Sequence, residues 1–427
     1  MKVAGFLVVL AAAVPARLAG QQLEVTLSEA IARALTLQPA MVEARGAVRN
    51  AGASERSAWG AFLPTVTTSA SATRSNKTSF RPGTIDTLPP VYTYSGGLSV
   101  RLQLFDGFSR WTTRRSASAT QDAREAGLVS QRYQTTLATQ QFFFTALANE
   151  ELVRVAAAQV TRAQQQLRTS VDKLRAGSAT RSDTLRSTVD LGNARLQLLQ
   201  AQADLATTQA TLGRQIGVDQ PVRAVPDTAL PGPPDTAALR SAALEGAPQV
   251  EQAEAEGRAA RAQVWTARAQ YWPSVFVTYN NSRSGTGLPT LPTFSTYPEN
   301  YSWQFGLSWT IFNGFQREEA QVSASVARDV AEAQARDARR QVNAQLTQQL
   351  AALFTTYEQI GIARTNVAAA TEDLRVVQER YRVGAATILD LLTSQASLTQ
   401  AEVSLVQAHY NYRNARAQVE SLVGHPL

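Results

Sequence analysis

The chain contains two copies of one plan. Tyr94 to Gly217 aligns without a gap onto Tyr301 to Gly424, an offset of 207 residues, and Pro39 to Val66 aligns onto Pro248 to Val275 at an offset of 209. A repeat of this length restricts the chain to folds that use each element twice. Each half reads helix, strand, strand, long helix, break, long helix.

The break is the most informative part of the repeat. KLRAGSATRSDTL, 173 to 185, falls on RYRVGAATILDLL, 380 to 392, pairing Gly177 with Gly384, Thr180 with Thr387 and Asp183 with Asp390. On both sides apolar residues recur every seven positions. Val153, Val160, Leu167 and Leu174 match Ile360, Val367, Leu374 and Tyr381, and beyond the break Leu191, Leu198, Leu205 and Leu212 match Leu398, Leu405, Tyr412 and Val419. Sustained heptads predict coiled-coil packing. A glycine free to take positive φ lets the chain reverse, so each break is expected to be the tip of an antiparallel hairpin, near 175–183 and 382–390. A straight helix tolerating one glycine is the competing reading, at about 1 kcal/mol per glycine. From Gly107 to Leu174 about 68 residues at roughly 1.5 Å each predict a rod on the order of 100 Å.

Strands are read from period-two alternation. Leu98, Val100, Leu102 and Leu104 alternate with Ser99, Arg101 and Gln103, while Trp303, Phe305, Leu307, Trp309 and Ile311 alternate with Gln304, Gly306, Ser308 and Thr310. The four predicted strands cover about 65–73, 97–105, 274–281 and 302–312, with turn-forming segments between partners. Aromatic residues gather near strand ends at Phe105, Phe108, Tyr271, Trp272, Tyr301, Trp303 and Phe312. Such strands match the thickness of a bilayer, yet four cannot close a barrel that needs about eight. A membrane barrel is therefore expected to be shared between chains.

The N-terminal MKVAGFLVVLAAAVPARLAG has a basic start, an apolar run and small residues. It predicts a signal peptide over 1–20, cleaved after Ala16 or Gly20. After it no apolar run is long enough for a membrane helix. With no cysteine, disulfides and a cysteine-borne lipid anchor are excluded. The net charge of +7 is spread along the chain, which makes a solvated helical surface the better reading and nucleic acid a poor partner. His409 and His425 are the only histidines, and no nucleophile elbow or phosphate loop is present. The sequence thus points to no catalytic, cofactor-binding or metal site and to no enzyme. The domains read as 1–20, a first repeat over 21–217, a Pro-rich linker over 218–238 and a second repeat over 239–427.

LSEAIARALTLQPAM, AFLPTVTTSAS, the LQLFDGF and WTIFNGF joins, and RYRVGAATILDLLTSQASLTQAEVSLVQAHYNYRNARAQVESLVG together resemble the TolC-like outer-membrane efflux proteins. The resemblance covers essentially the whole chain after the signal segment. It implies an α+β membrane protein: a homotrimer whose four strands per chain make a 12-stranded outer-membrane β-barrel, continued by a long α-helical coiled-coil barrel in the periplasm. It further implies a passive exit duct joined through a periplasmic adaptor to an inner-membrane transporter, with outer-membrane lipid around the barrel. By the same match the linker lies near the equator of the tunnel. Lys173, Leu174, Gly177, Arg380, Val383 and Gly384 become candidate adaptor contacts, and Tyr381 matches both a tip position and one of the polar links that close the tip.

Ser182 and Asp183 match other link positions, and Asp390 matches an acid of the ring at the narrowest point. Ala386 stands where the family has an arginine and Thr393 where it has a second acid, so Arg181 or Arg382 is the expected substitute in the lock. Three Asp390 carboxylates around an axis would attract cations and raise some of their own pKa values. The alternative for Asp390 and Asp183 is a helix N-terminal charge favoured by the macrodipole. The competing function is a periplasmic coiled-coil structural or adaptor protein without a membrane barrel.

Overall fold

A computed structural model of the chain describes residues 23–75, 78–81, 84–87, 91–226, 231–232, 246–286 and 295–427. The expected signal peptide lies outside these residues, as do parts of the linker and of the connections between strands. In chain order the elements are β1 (Leu23–Val25), α1 (Leu27–Leu37), α2 (Pro39–Gly60), β2 (Thr65–Ser75), β3 (Thr78–Arg81), β4 (Thr84–Thr87), β5 (Val91–Phe105), α3 (Ser109–Arg175), α4 (Arg181–Gln215), β6 (Val222–Ala224), α5 (Pro248–Ala269), β7 (Ser274–Gly285), β8 (Glu299–Ser308), α6 (Gln316–Arg382) and α7 (Ile388–Val423). Neither α3 nor α6, each 67 residues long, contains a proline, and both are rich in alanine, glutamine and arginine, which favour helix. No helix among the described residues is long and apolar enough to cross a membrane.

The chain divides into two compact units that each draw on both halves of the sequence: Met1–Gln38, Thr135–Pro233 and Ala352–Ala417 form one, and Pro39–Gln134, Pro234–Ala351 and Gln418–Leu427 the other.

In the first unit the helices pair as hairpins. Val160, Ala163 and Leu167 of α3 pack on Leu191 and Ala194 of α4, and farther toward the tip Ser170 and Ser187 share a buried hydrogen bond of 2.9 Å. The contacts step down one helix as they step up the other, the signature of antiparallel packing. In the second hairpin Leu374 and Tyr381 of α6 pack on Ile388, Leu391 and Leu398 of α7.

The linker corrects the sequence reading. Val222–Ala224 is a strand, parallel to Leu23–Val25, and Val222 and Ala224 are buried with Val25 against Phe143, Phe144, Leu147, Leu212 and Ile216. Burial of those side chains, invisible in a Pro-rich composition, turns this part of the connection into core.

The second unit holds a four-stranded antiparallel sheet in the order β2-β5-β7-β8. Its register sorts the side chains by polarity. Val66 lies opposite Val100, Val100 opposite Tyr279 and Tyr279 opposite Trp303, and the next row on the same face is Leu102, Val277 and Phe305. The other face carries Thr67, Ser99, Asn280 and Ser302, then Arg101, Thr278 and Gln304. The apolar face is bare: Trp303, Phe305 and Leu307 are 63%, 75% and 70% exposed. β2 and β8 are the outer strands, each paired on one side only among the described residues.

Two boundaries differ from expectation. β5 starts at Val91, well before 97, because Val91 to Tyr94 stay in register with Ala72 to Ser75. The last strand covers Glu299–Ser308 and stops short of 312. There the Arg317 guanidinium donates to the carbonyls of Thr310 and Ile311 at 2.8 Å each, and Trp309 Nε1 donates to Tyr271 O at 3.2 Å, which draws this stretch away from a ladder. Within the turn-rich segment after β2, β3 and β4 form a small antiparallel pair.

Both strand-to-helix joins take an unusual backbone path. Gly107 and Phe108 have φ of 65° and 66°, and Gly314 and Phe315 have 68° and 64°. Positive φ at phenylalanine costs about 1–2 kcal/mol. Edge-to-face ring pairs offset it, Phe105 with Phe108 at 5.5 Å and Phe312 with Phe315 at 5.4 Å. At Gly107 a Cβ would fall 2.3 Å from the Trp272 Cβ, so no side chain fits.

Candidate functional site

The hairpin tips, all within the first unit, carry the candidate residues. At the first, Gly177 N–H donates to Leu174 O at 3.0 Å and Ser178 N–H to Lys173 O at 2.9 Å. At the second, Gly384 N–H donates to Tyr381 O at 3.2 Å and Ala385 N–H to Arg380 O at 2.8 Å. This pair of bonds closes a helix whose next residue is left-handed, and Gly177 and Gly384 have φ of 72° and 81°. Glycine thus ends each helix where no proline does.

The returning helices start on matched caps. Asp183 Oδ2 accepts from Thr180 N at 2.9 Å and Thr180 Oγ1 at 2.8 Å, and Asp390 Oδ2 accepts from Thr387 N and Thr387 Oγ1 at 2.8 Å each. The Asp183 and Asp390 backbone N–H groups in turn donate to those hydroxyls, both at 3.2 Å. Both acids therefore serve as helix-starting residues within the chain. The backbone N–H of the capping threonine, followed by its hydroxyl, holds each carboxyl below the usual range.

The titration has a consequence for stability. Because Asp390 is depressed below 3.8, its contribution is complete above that value and is lost as pH falls through the folded pKa. Amide protection at the start of α7 is expected to hold down to about pH 4 and then fall. Asp390→Ala is expected to remove that step from a hydrogen-exchange profile.

Tyr381 is buried in the α6–α7 seam, 7% exposed, and its hydroxyl has no hydrogen-bond partner among the described residues. Lys173 reaches it from the other hairpin: Nζ lies 4.0 Å from the ring centroid and donates to Tyr381 O. Of the candidate lock residues this is the contact that brings the two hairpins together. Arg181 and Ser182 are exposed on the first turn of α4. Arg382 pairs with Glu379 on its own helix at 2.9 Å, with both side chains largely exposed, an arrangement worth little. Among the adaptor candidates Val383 is 68% exposed and Leu174 36%, and Arg380 donates to Ala385 O at 3.3 Å.

Sequence reasoning missed three groups. Arg162 of α3 makes a two-pronged ion pair with Glu402 of α7, at 2.9 and 3.3 Å, and donates to Thr399 Oγ1 at 3.1 Å. Both side chains are three-quarters buried or more. Arg162→Ala with Glu402→Ala in a double-mutant cycle, read by exchange protection around Thr399, is expected to give a coupling of about 1–2 kcal/mol. Asp190, seven residues past Asp183 on the same side of α4, is half-buried, and burial raises its pKa. His409, expected at the surface, is half-buried with Nε2 unpartnered; burial, then Arg364 and Arg413, lowers its pKa. Only the heptad step from Asp183 to Asp190 was available as a sequence signal.

The family model for outer membrane efflux proteins matches residues 30–218 and 239–425. The chain belongs to the outer membrane efflux protein family. It is an outer-membrane protein whose helices extend into the periplasm. Among curated relatives, the probable efflux pump outer membrane protein TtgC of Pseudomonas putida is 27% identical over 170 residues, 40% of this chain. The match spans only 35% of TtgC. The outer membrane efflux protein BepC of Brucella suis is 24% identical over 329 residues, 74% of this chain and 68% of BepC.

Among solved structures, the CmeC outer membrane channel of Campylobacter jejuni superposes with a TM-score of 0.81 at 18% identity, covering 93% of this chain and 85% of CmeC. VceC of Vibrio cholerae gives 0.79 at 18% identity, covering 94% and 96%. This efflux-family chain therefore shares their fold of long helices and a β domain.

Proposed function

We propose that this chain is the passive exit duct of a tripartite efflux or secretion system. Three copies join sheet edge to sheet edge into a twelve-stranded barrel, and their hairpins continue it as a tunnel toward an adaptor and an inner-membrane transporter. The observation that carries this reading is the sheet, whose one face carries apolar rows with Trp303, Phe305 and Leu307 exposed and whose outer strands are each paired on one side only among the described residues. In lipid every backbone N–H and C=O must find a partner, so an open four-stranded sheet is untenable and closure has to come from sister chains. The relatives described as efflux-pump outer membrane proteins support the same reading.

The tips are the gate and docking end in this proposal. Leu174, Gly177, Val383 and Gly384, flanked by Lys173 and Arg380, offer the adaptor an exposed surface, while Lys173 on Tyr381 and the Arg162–Glu402 pair hold the hairpins together. Asp390 and Asp183 act first as caps, and any acidic ring is secondary to that role. Native mass spectrometry of detergent-purified protein is expected to give a trimer, and planar-bilayer recording discrete channels. A monomer that is soluble without detergent would instead indicate a periplasmic coiled-coil protein.

A further inference from the structure

The second unit carries a basic, aromatic groove that neither the barrel nor the tips account for. Trp111, Arg114 and Arg115 of α3 face Arg258, Arg261 and Trp265 of α5 across an open groove of about 720 Å³, with Asp122 as the one acid in its lining. Arg115 and Arg258 are exposed and enter no ion pair among the described residues. Arg114 is half-buried, its guanidinium 3.8 Å over the Trp59 ring and its Nε without a partner. Arg261 is partly neutralised by Glu332 at 2.6 Å. Trp111 and Trp265 are 58% and 56% exposed.

The groove sits just past the strands. Trp111 follows the end of β5 by six residues and Trp265 precedes the start of β7 by nine, roughly 9 to 14 Å along a helix. With a headgroup region about 5–7.5 Å deep on each side, the groove lies at or just beyond its outer boundary when the strands span the hydrocarbon, within reach of long arginine side chains. The opposite side of the same helices is lined by small and uncharged residues, among them Thr113, Ser116, Ala117, Thr266, Ala267 and Gln270. The arginines and tryptophans therefore sit together on one side of the two helices, apart from that uncharged lining.

We propose that this groove binds the phosphate of an anionic phospholipid in the periplasmic leaflet of the outer membrane. Planar guanidiniums match phosphate oxygens in pairs, and exposed tryptophans favour the membrane–water boundary. The site anchors the duct at a set depth by charge as well as by apolar area. The inference rests on the sheet's apolar face meeting lipid.

The test is native mass spectrometry of the detergent-purified full chain with dioleoylphosphatidylglycerol, dioleoylphosphatidylcholine or inorganic phosphate added. Phosphatidylglycerol is expected to be retained about tenfold more than phosphatidylcholine, and Arg115→Gln with Arg258→Gln to erase that preference. Arg195→Gln, which removes a charge from an exposed position on α4, is expected to leave it intact. Equal retention of the two lipids, or a preference that survives the double variant, overturns the site. Displacement of the lipid by inorganic phosphate at comparable concentration overturns the lipid source and leaves a free-anion site. Protein that needs no detergent overturns the membrane reading and the site together, whereas inserted protein without headgroup preference overturns the site alone.

Discussion

Tyr381→Ala is expected to loosen the second hairpin tip and raise the resting conductance of reconstituted channels several-fold, while Tyr381→Phe leaves both unchanged. Removing a buried aromatic ring costs about 3–5 kcal/mol, and here the ring fills the seam among Leu374, Ile388, Leu391 and Leu398. It also supports the Lys173 ammonium that arrives from the first hairpin. The phenylalanine variant keeps the ring and deletes a hydroxyl that has no partner among the described residues, a change that is close to neutral or mildly stabilising when nothing else bonds that hydroxyl. The pair of variants separates two roles. If Tyr381→Phe opens the channel as far as Tyr381→Ala, the hydroxyl bonds a neighbouring copy and the lock is polar. If only the alanine opens it, the lock is packing.

Gly384→Pro is expected to abolish coupling to the adaptor while trimer and barrel persist. Proline is held near φ −65°, but Gly384 sits at 81° and donates its N–H to Tyr381 O. The substitution thus removes one of the two bonds that close α6 and forbids the turn, at a local cost of about 3 kcal/mol or more. Nothing lies within 4 Å of a Cβ at this position, so the effect is conformational and not steric. The checks are adaptor co-purification, native mass for the trimer, and protease sensitivity between Arg382 and Ile388. A variant that still captures adaptor at the wild-type level would remove this tip from the docking surface.

The heptads, the glycine breaks and the alternating strands were legible because each is a local pattern with its own period. The roles of the acids were less so. The resemblance implied a link position for Asp183 and a ring acid for Asp390, with a helix start as the alternative for both, and only the oxygens of Thr180 and Thr387 at 2.8 Å show where the carboxylates point in the chain. The contact that joins the two hairpins near the tip was not legible either. Arg181 and Arg382 stand close to the turns in sequence, but the side chain that reaches Tyr381 is Lys173, on the other hairpin. Contacts such as Arg162 with Glu402 join positions far apart in the chain and leave no local trace.

What the sequence determined by itself was the kind of element and its repetition, because periodicity fixes which side of a helix or strand is apolar before any neighbour is known. The tertiary structure alone decided which of those sides meet. It set the β5–β7 pairing that joins the two halves into one sheet, the strand hidden in the linker, and the left-handed joins at Phe108 and Phe315. Such features depend on contacts between distant residues, whose favourable packing repays a local backbone or composition that looks unfavourable when read alone.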